Sequence, residues 1–315
     1  MRRLLARREL IPAILVLVAF AVGAKASPYF LDARYLLDAS SLYVEIGLLA
    51  LGMTLVIVCG HIDLSVASNL ALVACVTAKL LGAGWSPAMA LPAGLALGAL
   101  LGWVNGIIVA RLGLPSFVVT LATMAAYRGA AQVMVGAESA RVPTNLTGID
   151  FATVPGTTFP LPLGVLLVVA LLIGLLLHRT VLGRWIFANG TNERAAFYSG
   201  VPTQRVTVTV FTVAGLLAGL AGLVIGSRLG VARFDHGRGM EVDAITAVVL
   251  GGASIAGGSG TVLGTVLALL LIALLRTGMG VANVTAEYQL AAIGTLLVLS
   301  VIASNLTERL TKRRT

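Results

Sequence analysis

Charge is what this sequence has least of. Asp, Glu, Lys and Arg make up 11% of its 315 residues, against about a quarter in ordinary soluble domains. With 58% of residues hydrophobic, too little polar material remains to coat a core of this size, which excludes a water-soluble globular domain. Cysteine is nearly absent. Cys59 and Cys75 both lie in apolar runs, so there is no disulfide framework and no metal-ligand spacing. An HExxH helix, a P-loop ending in Gly-Lys-Ser/Thr and a Gly-x-Ser-x-Gly elbow are also missing. No catalytic residue, metal site or cofactor of the chain's own is therefore expected. If ATP drives this protein, another subunit must bind it.

What the sequence does have is apolar runs of about 20 residues, each long enough to cross a bilayer. They fall near 10–26, 41–59, 64–82, 88–110, 115–136, 161–178, 206–226, 242–257, 261–277 and 287–305. The expectation is an all-α polytopic membrane protein, a single transmembrane domain over 1–315 with about ten transmembrane helices. The net charge of +9 is read as topology rather than as nucleic-acid binding, because Lys and Arg accumulate on the cytoplasmic side. With both termini cytoplasmic, Arg2, Arg3, Arg7, Arg8, Arg111, Arg179, Arg184, Arg194, Arg205, Arg309, Lys312, Arg313 and Arg314 fall inside. Only Arg34, Arg141, Arg228, Arg233 and Arg238 fall outside. The basic start followed by "LIPAILVLVAFAVG" and "AKA" has the layout of a signal peptide; an uncleaved first helix is the reading adopted.

Two polar stretches stand out, with a third basic one. Residues 137–160 read as an outer loop, rich in Thr, Gly and Pro. Residues 179–205 read as an inner loop with a short helix, capped by Asn192, built on Glu193, Arg194, Ala195 and Ala196, and ended by Gly200 and Pro202. Residues 227–241 would place three arginines outside, which calls for a role needing positive charge, for pairing with Asp235 and Glu241, or for a different local topology. The 36 glycines, concentrated in "AGLLAGLAGLVIG" and "GGASIAGGSGTVLG", allow membrane helices to approach closely.

The stretch "GHIDLSVASN" at 60–69 interrupts this apolar chain. Non-helical backbone at membrane depth must be buried in protein or line a cavity. Gly60 permits a break, and Asp63 and Ser65 can cap a helix starting near 64. The segment is then a short turn whose cap also shapes a path, or a turn alone. His61 reads as a solvated loop residue. Glu45, Asn69, Asn105, Arg128, Gln132 and Asp243 lie within apolar spans. Intramembrane polar groups face a bundle interior or water, so Glu45, Asn69, Asn105, Arg128 and Gln132, with Asp63 and Ser65, are candidates for a translocation path; Asn69, Asn105 and Gln132 are equally suited to helix-to-helix bonds. Arg128 is placed to pair with Glu45 or Asp243, or to lie near the outer surface. An ion-coupled carrier using Glu45 or Asp243 is the alternative functional class.

Four blocks, in order, resemble one family. "GHIDLSVAS", "LPSFVVTLATMAAYRGAAQVMVG", "NERAAFYSGV" and "GMEVDAITAVVLGGASIAGGSGTVLGTVLALLL" are similar to the permease subunits of bacterial ABC importers of the ribose, rhamnose and autoinducer-2 type. Ala67 and His61 depart from the family pattern, which has Gly, and Gly or Asn, at those places. The resemblance implies a sugar permease of the bacterial inner membrane that pairs with a second permease subunit, identical or paralogous. Cytoplasmic ABC ATPases carrying ATP and Mg would drive it, and a periplasmic or extracellular solute-binding protein would deliver the solute. It also implies that Asn192, Glu193, Arg194, Ala195, Ala196 and Gly200 form the loop that docks on the ATPase. On this reading Arg228, Arg233 and Arg238 are candidates for receiving the binding protein.

Overall fold

The computed structural model describes residues 10–26, 28–136, 138–149, 152–285 and 287–296, together with 298 and 302. The basic residues at the two chain ends, and the last part of the tenth expected span, lie outside these. The described chain is a helical bundle: α1 (Leu10–Ala26), α2 (Ala33–Ser41), α3 (Val44–Val58), α4 (Val66–Gly82), α5 (Pro87–Leu112), α6 (Ser116–Val135), α7 (Leu161–Arg179), α8 (Val181–Thr191), α9 (Glu193–Tyr198), α10 (Thr203–Leu229), α11 (Met240–Leu250) and α12 (Val262–Val281). Residues 287–296 are helical as well. The helices α5, α6, α7, α10 and α12 are long and apolar enough to cross a membrane, and α2 with α3 forms a sixth such unit bent by 62°. Shorter apolar helices occupy α1 and α4.

Local chemistry sets these boundaries. Pro87 and Pro162 sit in the first turns of α5 and α7, where proline lacks only an amide that the helix does not use. Gly113 and Gly230 take the left-handed conformation that stops α5 and α10. Every residue of α3 is buried, as expected of a helix apolar all round, and α7, α8, α10, α11 and α12 pack about it. The most extensive helix pairing among the described residues is between α5 and α10. A Cβ on Gly98 would come 2.9 Å from the Gly219 Cα, and one on Gly215 would come 2.8 Å from the Gly102 Cα. Glycine is required there because larger residues would push the helix backbones apart. At the periphery α7 leaves Leu167, Val168, Leu171, Leu172 and Leu175 exposed, a surface suited to lipid.

Three segments differ from the sequence-based expectation. The span expected over 242–257 is helical only over Met240–Leu250. Eleven residues rise about 16 Å, half the hydrocarbon thickness of about 30 Å. Glycines from 251 onward end the helix, with Gly252, Gly257 and Gly258 at positive φ. The inner loop 179–205 holds two helices, α8 and α9, with only Asn192 between them.

Residues 227–241 do not form a free loop. Helix α10 continues to Leu229. Then β2 (Val231–Ala232) pairs antiparallel with β1 (Ala140–Arg141), Ala140 opposite Ala232, which ties the two expected outer loops together. Beyond β2 the turn reaches into the bundle. A Cβ on Gly237 would lie 3.4 Å from the carbonyl oxygen of Ala67 in the first turn of α4.

Candidate functional site

The segment at 60–65 is a break between α3 and α4, with Gly60 at φ +90. Helix α4 starts at Val66, and Ser65 is its N-terminal flanking residue without a side-chain capping bond. The expected cap is replaced by a buried network. Asp63 Oδ1 accepts from the Ser65 amide at 2.9 Å and from the Ser65 hydroxyl at 2.6 Å. Ser65 Oγ in turn accepts from Asn105 Nδ2 at 2.8 Å. The Tyr127 hydroxyl is shared between Asn105 Oδ1 at 3.1 Å and the Leu101 carbonyl at 3.0 Å. Asp63, Ser65 and Asn105 are 1%, 1% and 0% exposed, so the polar groups of the break satisfy one another inside protein. Tyr127 belongs to this network and was not singled out from sequence; its position one residue before Arg128, on the inward face of α6, is visible only once α6 is placed.

The other polar residues divide into two sets. Asn69 is buried and donates to the carbonyls of Gly98 at 3.1 Å and Gly215 at 3.4 Å, spanning α4, α5 and α10. His61 is not a solvated loop residue. Its Nε2 lies 3.2 Å from Thr207 Oγ1 and its ring packs 5.7 Å from that of Phe211. Arg128 pairs with neither Glu45 nor Asp243. It is half-exposed, and its guanidinium donates to the Phe234 and His236 carbonyls at 2.7 and 2.6 Å, bracing the inward turn after β2. Gln132, one turn further along α6, is exposed.

Both carboxylates of the carrier alternative are engaged by arginine. Glu45 Oε1 accepts from Arg228 Nε at 2.9 Å, with side chains 1% and 19% exposed. Asp243 accepts from Arg276 Nη2 through both oxygens at 2.8 and 2.9 Å. Arg228 is therefore mostly withdrawn from the surface, whereas Arg233 and Arg238 are exposed. Arg233 makes a two-point bond to Asp235 at 2.8 Å. That guanidinium holds the Asp235 carboxyl, in the turn outside the spanning helices, down at about 2. The Arg238 guanidinium lies 5.8 Å from the Phe234 ring centre.

At one end of the bundle, α9 projects outward. Asn192 Oδ1 accepts from the Ala195 amide at 3.0 Å, as the cap reading requires. Glu193, Arg194 and Ala195 are exposed and Ala196 is buried against the body. Gly200 ends the helix at φ +85, with nothing within 4 Å of where its Cβ would be. Two residues that sequence reasoning passed over dominate this surface. Phe197 and Tyr198 are 62% and 86% exposed, with ring centres 5.7 Å apart in edge-to-face contact. Their signal in the sequence is two adjacent aromatics in a helix otherwise made of small and charged residues. Among the described residues no three His, Cys, Asp or Glu side chains gather as a metal site.

These features define a class, a polytopic helical membrane protein with a buried polar network and a small exposed helix at one end. The family model described as branched-chain amino acid transport system, permease component, matches residues 35–301, and the chain belongs to that family. It is a transport component without an ATPase site of its own. Among its relatives, the ribose import permease protein RbsC of Escherichia coli K12 is 36% identical over 299 residues, covering 93% of this chain and 92% of that protein. The autoinducer 2 import system permease protein LsrD of Photorhabdus temperata is 35% identical, covering 93% and 90%. LsrD of Salmonella paratyphi A is 37% identical, covering 92% and 89%. No solved structure matches the chain significantly.

Proposed function

We propose that the chain is the membrane-spanning permease subunit of an ATP-driven, binding-protein-dependent importer of a monosaccharide or similar hydroxylated solute. What carries the reading is its likeness, over more than nine tenths of its length, to permeases named for ribose and autoinducer 2 import. On this reading the chain is multi-pass in the bacterial inner membrane, with about ten spans and both termini cytoplasmic. It works beside a second permease subunit, identical or paralogous. ATP and Mg reside on cytoplasmic ABC ATPases, and a periplasmic or extracellular solute-binding protein delivers the solute.

On this reading each part has a role. Helix α9 is the ATPase contact, with Phe197 and Tyr198 as its anchors, since buried aromatics dominate the energy of protein interfaces. Asn192 fixes its start, Gly200 its end, and Glu193 and Arg194 flank it. Half-exposed Arg128 and exposed Gln132 lie on one helix of membrane-crossing length. Charged and amide groups at such depth must meet water or protein rather than lipid, so this face borders the solute path and the second permease subunit. Asp63, Ser65, Asn69 and Asn105 form the wall behind that path, and Glu45 with Arg228 ties it at the opposite end. Arg233 and Arg238 are left to receive acidic groups of the binding protein, where exposed charges mainly steer encounter.

Reconstitution tests the reading. Proteoliposomes holding this chain, its ATPase and its binding protein are expected to take up a labelled pentose or deoxyhexose only when ATP is present on the ATPase side. Uptake by this chain alone, driven by an ion gradient without ATP, would replace the importer with a carrier.

A further inference from the structure

Behind α9 three separate pieces of backbone touch. Gly190 lies in the last turn of α8, with only Thr191 and Asn192 between it and α9. A Cβ on Gly190 would overlap the Val58 carbonyl oxygen at the end of α3 and would come 2.5 Å from the Gly258 nitrogen. A Cβ on Gly257 would come 2.8 Å from the Gly60 Cα and 2.7 Å from the Gly190 carbonyl oxygen. No side chain fits between these strands, so a shift of one backbone must displace the others.

Hydrogen bonds fasten the same contact. The last carbonyls of a helix have no partner within it. Here the Gly258 amide donates to the Val58 carbonyl at 2.9 Å, and Asn189 Nδ2 donates to the Cys59 carbonyl at 3.3 Å. Asn189 is 3% exposed. The end of α3 is thus held by one donor from the loop after α11 and one from α8.

We propose that the backbone contact among Gly60, Gly190 and Gly257–Gly258, fastened by Asn189, is the joint through which α9 moves the α3–α4 break and the loop between α11 and α12. It rests on the reading of α9 as the ATPase contact. An ATPase that pulls α9 pulls Gly190 with it. Gly190 then shifts the carbonyl end of α3 and with it the break, which holds Asp63 and Ser65 of the network to Asn105. In parallel, Gly257 and Gly258 pass the shift to α11, the half-length helix at whose start the Arg128-braced turn ends. Gly190 and Asn189 are positioning residues for transport; neither touches solute in this scheme.

The test uses the complete complex of permease, ATPase and binding protein in nanodiscs and proteoliposomes. The variants are Gly190→Ala, Gly257→Ala and Asn189→Ala, with Gly200→Arg as the control on α9 itself. For the joint variants, co-purification of the ATPase and basal hydrolysis are expected to stay within twofold of the parent. Stimulation of hydrolysis by the loaded binding protein, and uptake per ATP, are expected to fall at least fivefold. Stimulation and uptake within twofold of the parent overturn the proposal. If the glycine variants do not assemble, Asn189→Ala, which adds no bulk, decides by the same criteria. Failure of the underlying reading looks different: Gly200→Arg would then retain the ATPase in full.

Discussion

Asn105 joins two buried hydroxyls, those of Ser65 and Tyr127. Replacing it by Leu leaves the Tyr127 hydroxyl with the Leu101 carbonyl and the Ser65 hydroxyl with Asp63, and each of the two hydrogen bonds lost is worth about 0.5–1.5 kcal/mol. Asn105→Leu is therefore expected to lower the thermal unfolding midpoint in detergent. Adding Tyr127→Phe should then cost less than it does alone, since the two groups share one network. Additive losses would show that the contact carries no coupling. The pair Glu45–Arg228 gives a sharper case. Removing one partner of a buried ion pair costs about 3–5 kcal/mol, while replacing both is far milder. Glu45→Leu should destabilise more than Glu45→Leu with Arg228→Met, measured by the same unfolding. Much at this scale was legible beforehand. Asp63, Ser65, Asn69 and Asn105 announce themselves as polar groups in oil, and Asn192 as a cap. Their partners were not legible, because Ser65 to Asn105 and Glu45 to Arg228 are contacts between distant segments, and one sequence carries no signal of which polar groups meet.

Among the helices, α9 makes the clearest prediction. Its two aromatic rings are exposed and support nothing in the chain itself. Phe197→Ser with Tyr198→Ser should leave the unfolding midpoint within about 1 °C, because exposed surface changes lie within about 0.5 kcal/mol. The same pair should weaken binding of the ATPase at least tenfold, as loss of an interface anchor costs about 2 kcal/mol or more. Unaltered ATPase affinity would remove the anchor role. Element boundaries show where periodicity and composition suffice. Expected spans at 88–110, 115–136 and 161–178 meet α5, α6 and α7, where Pro and Gly mark the ends. They fail at 242–257 because hydrophobicity there continues through Ala253 and Ile255 while glycine has already ended the helix. Ala253 is buried but Ile255 is 44% exposed, so apolar residues continue through a non-helical loop, and hydropathy does not separate that from a span.

For the whole molecule, the antiparallel contact of Ala140–Arg141 with Val231–Ala232 fixes that these two loops share one side of the bundle. The α9 end, with Gly60 and Gly258 beside it, lies across from the Glu45–Arg228 pair. A cysteine placed at Thr157 and one at Tyr198, each in a chain lacking Cys59 and Cys75, should react with an impermeant maleimide from opposite faces of the membrane. Labelling of both from one face would break the proposed topology. Arg179, Arg184, Arg194 and Arg205 cluster in sequence around α9, the bias expected of a cytoplasmic loop.

The brevity of α11 bears on how the protein is made. A nascent chain enters the bilayer one span at a time, and eleven residues are too few to be taken in alone. Helix α11 packs against α12 and α3, so its seating is expected to await α12. Biogenesis of this chain is therefore expected to include a late step in which α11 is drawn inward against neighbours already seated, and truncation of the chain before α12 should leave a cysteine placed in α11 accessible to a water-soluble thiol reagent.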